Sequence, residues 1–284
     1  MTVLATVDFT DHSATVIRTS IQFADLYRSD LDVLHCRPGA ADSWIGTHQF
    51  NGSVDPSTLA ERKRLQNFVE EIGRSEITRR RVRYHYEPPP VDDAIPRLEE
   101  TESLRLVVAG APHRGRLARF LTESTPESLV RKCDTPVLVL PSSPDPSPIS
   151  APILAPLDPD RRHRQSMEMA IGLARKADVP LIVLSADATE HTVERALLAF
   201  DLRGVDYRIE TRAESELESI RHELDEDDCG LVVLGRPDEV SFTQLLLGTP
   251  ADRIIRELPC AVLVVPERDE LAAIALPAFE RALG

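Results

Sequence analysis

The chain is written twice. Leu106–Pro141 aligns with Leu231–Pro266 at a constant spacing of 125 residues. Eleven of those 36 positions are identical: Leu106, Val107, Val108, Gly110, Pro112, Leu121, Arg131, Val137, Leu138, Val139 and Pro141. Unrelated segments share far fewer. The two halves also match at their starts, now at a spacing of 150. There LATVDF (Leu4–Phe9) meets LAPLDP (Leu154–Pro159), Ala24 meets Ala174, and Leu31, Val33 and Leu34 meet Leu181, Val183 and Leu184. The change of spacing puts 25 extra residues into the first half between Cys36 and Leu106, expected in the turn-rich stretch Ser43–Ser57 around Trp44. Solenoid repeats have periods of roughly 20–50 residues, so this duplication describes two domains and not an array.

The 284 residues divide into two domains of about 140 residues, each large enough to bury a core without disulfides or metal. Pro141–Pro152 holds five prolines in twelve residues and reads as an extended linker, which sets the domains at 1–148 and 149–284. Thirty-three basic and 47 acidic side chains give a net charge of −14, which argues against nucleic acid or an anionic membrane as a partner. The imbalance lies in the second half, especially in Glu223–Asp228 (ELDEDD), which reads as a solvated helix end. No apolar run approaches the roughly 20 residues that cross a bilayer. The start, MTVLATVDFTDHS, lacks the basic end and apolar stretch of a secretory signal, so a cytoplasmic location is expected. Cys36, Cys133, Cys229 and Cys260 are scattered without a C-x-x-C, as reduced thiols are, and no histidine spacing suggests a metal site.

Short apolar runs alternate with stretches of helical period in the same order in both halves. VLATVDF, DLDVLHC, RVRYHY, RLVVAG and PVLVLP read as strands of the first half. PILAPLD, PLIVLSA, VDYRIET, GLVVLG and AVLVVP read as strands of the second. Runs that are apolar throughout, such as LVVLG, suit a sheet covered on both faces. The fold class is therefore α/β, with two doubly wound parallel five-stranded sheets flanked by helices, one per domain. The strands Val137–Leu140 and Val262–Val265 are expected to pair with each other, as an internal pseudo-dimer, or with a second copy in a homodimer.

Such sheets bind ligands outside the carboxyl ends of their strands, where the strand order reverses. Asp8 and Asp158 follow the first strand of each half. GAPHRG (from Gly110) and GRPDEV (from Gly235) follow the fourth, and each leads to a second polar point, Glu123–Ser124 or Gly248–Thr249. A glycine-containing loop entering a helix offers N–H groups to a phosphate.

With these residues the chain resembles the universal stress protein family in a tandem two-domain form. The resemblance rests on the first-strand Asp, LHC or LSA after the second strand, Gly after the fourth, and the closing Arg-x-x-x-x-Pro-Val-Leu-Val-like segment. It implies a fold like that of the adenine-nucleotide alpha-hydrolases. It also implies ATP, accompanied by Mg²⁺, bound through G-x-x-G-x9-G-[S/T] with the first-strand Asp near the nucleoside. Both copies of the pattern are altered. In the first, Gly110 is kept, His113 stands at the second glycine, and Glu123–Ser124 replaces Gly–Ser. In the second, Gly235 and Gly248–Thr249 are kept and Asp238 stands at the second glycine. A side chain there blocks close backbone approach, and an acid opposes a polyphosphate.

The cofactor-binding candidates are therefore Asp158, Ala186 (through its backbone), Gly235, Gly248 and Thr249 in the second half, with Asp8, Gly110 and Ser124 as their first-half equivalents. Plain readings stand beside them. Asp8 and Asp158 serve equally as turn or N-cap residues, and Thr249–Pro250 as an N-cap with proline at N1. No G-x-S-x-G and no Ser, His and acid at a defensible spacing occur, so turnover is not expected. Two functions remain: a stress-response regulator with weak ATP binding in the second domain, or a scaffold of the same family that has lost nucleotide.

Overall fold

The computed structural model describes residues 1–10, 12–36, 56–73, 81–111, 126–141, 147–159, 164–237 and 258–267. The chain divides into two compact units, Met1–Pro144 and Asp145–Gly284.

In the first unit the strands are β1 (Thr2–Thr6), β2 (Asp30–Cys36), β3 (Val82–Glu87), β4 (Leu104–Gly110) and β5 (Val137–Leu140). All pair in parallel, in the order β3-β2-β1-β4-β5. The order reverses at β1, which pairs with β2 on one side (Val3↔Leu31) and β4 on the other (Val3↔Leu106). The helices are α1 (Ser13–Tyr27), α2 (Pro56–Ile72), α3 (Val91–Thr101) and α4 (Pro126–Lys132). The last was not expected from its sequence; it opens with proline at the first helical position, where no N–H is needed.

The second unit has β6 (Ile153–Pro156), β7 (Leu181–Ala186), β8 (Tyr207–Arg212), β9 (Leu231–Pro237) and β10 (Ala261–Glu267), with α5 (Arg164–Ala177), α6 (Glu190–Leu197) and α7 (Glu216–Glu226). The order is β10-β9-β6-β7-β8, again all parallel and reversing at its first strand. The central strands are covered on both faces: Val3, Leu4, Leu106, Val107, Ile153, Leu154, Leu181 and Leu231 expose none of their surface. That burial explains their unbroken apolar runs.

The duplication extends to local detail. α1 and α5 are each followed by a left-handed residue, Arg28 (φ 51°) and Asp178 (φ 56°), which stand 150 positions apart. Forty-five residues connect β2 to β3, and twenty connect β7 to β8. The 25 extra residues thus lie wholly in that connection. Part of the surplus is helix, since α2 runs 17 residues and α6 runs 8. Ser43–Asp55 of the expected insertion lie outside the described residues.

One expectation is corrected. Glu223–Asp228 is not simply a solvated helix end. Asp225, Glu226 and Asp228 are exposed, but Glu223 is 1% exposed and accepts hydrogen bonds from Arg208 (2.7 Å) and Arg212 (2.6 Å) of the edge strand β8. A carboxylate this deeply buried needs such partners.

Candidate functional site

The carboxyl edge of the second unit brings two of the sequence candidates together. β6 ends at Pro156, and the chain then passes Leu157, whose N–H donates to Leu184 O at 2.8 Å, before reaching Asp158. β7 ends at Ala186. Asp158 and Ala186 line one open cavity of ≈ 60 Å³ with Leu157, Leu184, Glu216 and Ser219. Glu216 and Ser219 belong to the first turn of α7, which a capping box fixes. Ser215 Oγ accepts from the Glu218 N–H, and Glu218 Oε2 accepts from the Ser215 N–H at 3.3 Å. Gly235 lies near the carboxyl end of β9, opposite Val265 of β10, on the strand that also pairs with β6. Asp158, Ala186 and Gly235 therefore stand on the edge and at the reversal where ligands bind in open α/β sheets. Gly248 and Thr249, with Asp238, lie outside the described residues, as do Ser124, Glu123 and His113.

A carboxylate serves the helix that follows β6. Glu267, the last residue of β10, accepts from the Gln165 N–H (2.9 Å), the Ser166 N–H (2.8 Å) and Ser166 Oγ (2.5 Å). These amides open α5, and the negative charge sits at the positive end of the helix dipole.

The first unit carries the corresponding residues differently. Asp8 is exposed, and its Oδ1 accepts from the Thr10 N–H (3.0 Å), Thr10 Oγ1 (2.7 Å) and Ser13 Oγ (2.8 Å). That is the Asx-turn arrangement, so this carboxylate organises the turn into α1. Gly110 ends β4, and the ring of His12 lies against it. A Cβ added at Gly110 would stand 2.2 Å from His12 Cδ2. His12 Nε2 also meets Leu140 O at 3.3 Å, at the end of β5.

Phe9 has φ 60°, a conformation that costs a bulky residue about 1–3 kcal/mol, which its surroundings must offset. Its ring packs edge-on against His35 (4.8 Å between centroids) and Phe68 (5.6 Å), and the Arg64 guanidinium lies over it at 4.2 Å. His35 Nδ1 donates in turn to Val7 O at 2.7 Å.

Sequence reasoning missed His12, Phe9, His35 and Glu267 as shapers of these two edges. For Phe9 and His35 a signal was present at the spacing of 150, where Phe9 faces Pro159 and His35 faces Ser185. Ser185 is fully buried, and its Oγ finds no hydrogen-bond partner among the described residues. Among the described residues no group of three His, Cys, Asp or Glu side chains could hold a metal ion, and no helix is long and apolar enough to cross a membrane.

The fold has known counterparts. A universal stress protein from Archaeoglobus fulgidus DSM 4304 superposes with a TM-score of 0.69 over 95% of this chain and 97% of its own, at 15% identity. A functionally unknown protein from Pseudomonas aeruginosa PAO1 matches with a TM-score of 0.60, 98% and 97% coverage and 19% identity. At these identities the likeness is one of fold. No curated protein matches by sequence. The model of the universal stress protein family matches residues 1–141 and 184–266, most of the chain and parts of both units. The chain belongs to the universal stress protein family.

Proposed function

We infer that this chain is a stress-response regulator whose second unit binds adenine nucleotide weakly, with Mg²⁺ accompanying the phosphates. One observation carries the reading: Asp158 and Ala186, 28 positions apart, line a single cavity across the carboxyl ends of β6 and β7. A carboxylate in that position suits the hydroxyls of a ribose, and the Ala186 backbone suits a base edge. Gly235, Gly248 and Thr249 are the residues assigned to the phosphates.

The same cavity supports a second reading. Glu216 joins Asp158 in its wall, and two carboxylates oppose a polyphosphate entering beside them. In that case the sheet is kept as a scaffold for protein partners.

Analysis of nucleotide co-purifying with the full chain, followed by calorimetric titration with Mg-ATP, separates the two. Saturable binding that is lost in Gly248→Asp and weakened in Asp158→Ala, with both variants folded, is the expected result. No heat at millimolar ATP would overturn nucleotide binding and leave the scaffold reading.

A further inference from the structure

We propose that Glu216 is a specificity-determining residue of the second unit's cavity, its carboxylate selecting a nucleobase that carries an exocyclic amino group. The inference rests on the nucleotide reading above and adds to it what decides the base. Glu216 and Ser219 are the two side chains that α7 gives to the cavity, one turn apart on the same helix face. Ala186, at the end of β7, lines the same space. A base edge seated on the Ala186 backbone in a cavity of ≈ 60 Å³ therefore lies close to Glu216 as well. Ser219 is fully buried, and its hydroxyl turns to Glu214 O at 3.5 Å. Glu216 is thus the charged acceptor that α7 presents there.

That carboxylate has no other task in the unit. Among the described residues it makes no hydrogen bond and no ion pair. Glu218, by contrast, caps the helix start, and Glu223 and Glu226 hold Arg212. The helix dipole does not need Glu216 either, because Glu218 already brings a negative charge to the first turn. An ionised carboxylate accepts hydrogen bonds and donates none, so it favours a ligand that offers it an N–H. The amino group of a base supplies that donor. A ring edge that offers only lone pairs leaves the carboxylate facing another acceptor. Glu216 is exposed, which keeps the effect below that of a wholly buried pair.

The duplication supplies a variant for the test. α3 and α7 are each 11 residues long and start 125 positions apart, so Glu216 matches Val91. Valine opens the equivalent helix, so Glu216→Val is compatible with this one. Calorimetric titration of the full chain compares Mg-ATP with the Mg²⁺ complex of purine riboside triphosphate, which is ATP without its amino group. The parent should bind ATP about tenfold more tightly. Glu216→Val should bring the two affinities together, chiefly by weakening ATP. Glu216→Gln should keep part of the preference, because an amide oxygen still accepts.

Equal affinity for the two ligands in the parent, or a preference that survives Glu216→Val, would overturn the inference and leave nucleotide binding standing. If both ligands tighten equally in Glu216→Val and Glu216→Gln, the carboxylate acts only as a like charge beside the phosphates, and the inference falls. No binding of either ligand to the parent would overturn the nucleotide reading, and the inference with it.

Discussion

Asp32 on β2 accepts two parallel hydrogen bonds of 2.9 Å from Arg83 on the neighbouring β3, and none of its side chain reaches solvent. Arg83 also meets Glu102, just beyond α3, at 2.7 Å. One period of 125 residues later, Arg208 stands against Asp227 in the same relation, just beyond α7. The buried acid, however, has moved. The position matching Asp32 is Ile182, and the second unit's buried carboxylate is Glu223 on α7, whose own match is Leu98 on α3. The two units therefore satisfy the same edge-strand arginine from opposite layers, with a strand acid and helix leucine in one and a strand isoleucine and helix acid in the other.

This exchange predicts a rescue. Asp32→Ile should destabilise the first unit by about 1–3 kcal/mol, since the Arg83 guanidinium then gives up its bidentate acid partner. Arg83 is 37% exposed and keeps Glu102, which holds the loss below that of a wholly buried charge. Adding Leu98→Glu should recover a good part of it. Urea unfolding of the parent, both single variants and the double variant would measure the coupling. Additive losses would show that the two arrangements are not interchangeable.

The same carboxylate fixes a pH dependence. Burial pushes the Asp32 carboxyl up, but hydrogen bonds and charge from His85 and Arg83 outweigh it and hold it below the usual carboxylate range. A group lowered in the folded state stabilises fully above its unfolded value of about 4 and loses that contribution as pH falls through its folded value. The stability difference between the parent and Asp32→Asn should thus be largest at neutral pH and shrink below about pH 4. Urea midpoints measured from pH 7 to pH 2 would reveal it, and a difference that stays constant across that range would contradict the assignment.

How much of the fold and site is legible in the sequence depends on the range of the interaction. The strands are readable because DLDVLHC, LVVLG and AVLVVP carry their burial in nearly every residue, and the duplication repeats their order. That Asp158 and Ala186 lie side by side is legible because a first-strand acid and a second-strand terminus share the sheet's carboxyl edge whatever the loops do. The pairing of Arg208 and Arg212 with Glu223 is not legible. An acid in a charged run looks solvated until the edge strand brings two guanidiniums over it. Nor is the approach of His12 to Gly110, because it joins residues 98 positions apart through a rotamer, which no local pattern encodes.

The cysteines should be silent in the native protein. Burial, with the neighbouring Glu87 adding to it, pushes the Cys36 thiol up to about 12, and burial with Asp227 does the same for Cys229. At pH 8 the thiolate fraction of each is then on the order of one part in ten thousand. Cys133, Cys229 and Cys260 are buried and Cys36 is half-buried. Ellman's reagent should titrate essentially no fast thiol in the folded chain and four after denaturation. A rapidly reacting thiol in the folded chain would mark an opening at one of these strand or helix ends.

Glu267 offers the last test, because it joins the end of β10 to the start of α5. Its carboxylate receives two backbone N–H groups and one hydroxyl there, so Glu267→Ala should cost about 1–2 kcal/mol, the range for losing an N-terminal cap with its dipole interaction. Glu267→Gln should cost less, because an amide oxygen can still accept one of those bonds though its charge is gone. The loss should localise. Hydrogen exchange at the Gln165 and Ser166 amides should accelerate in the alanine variant, while the central strands β6 and β9 keep their protection relative to global stability. Unchanged exchange at those two amides would show that water satisfies the helix start as well as Glu267 does.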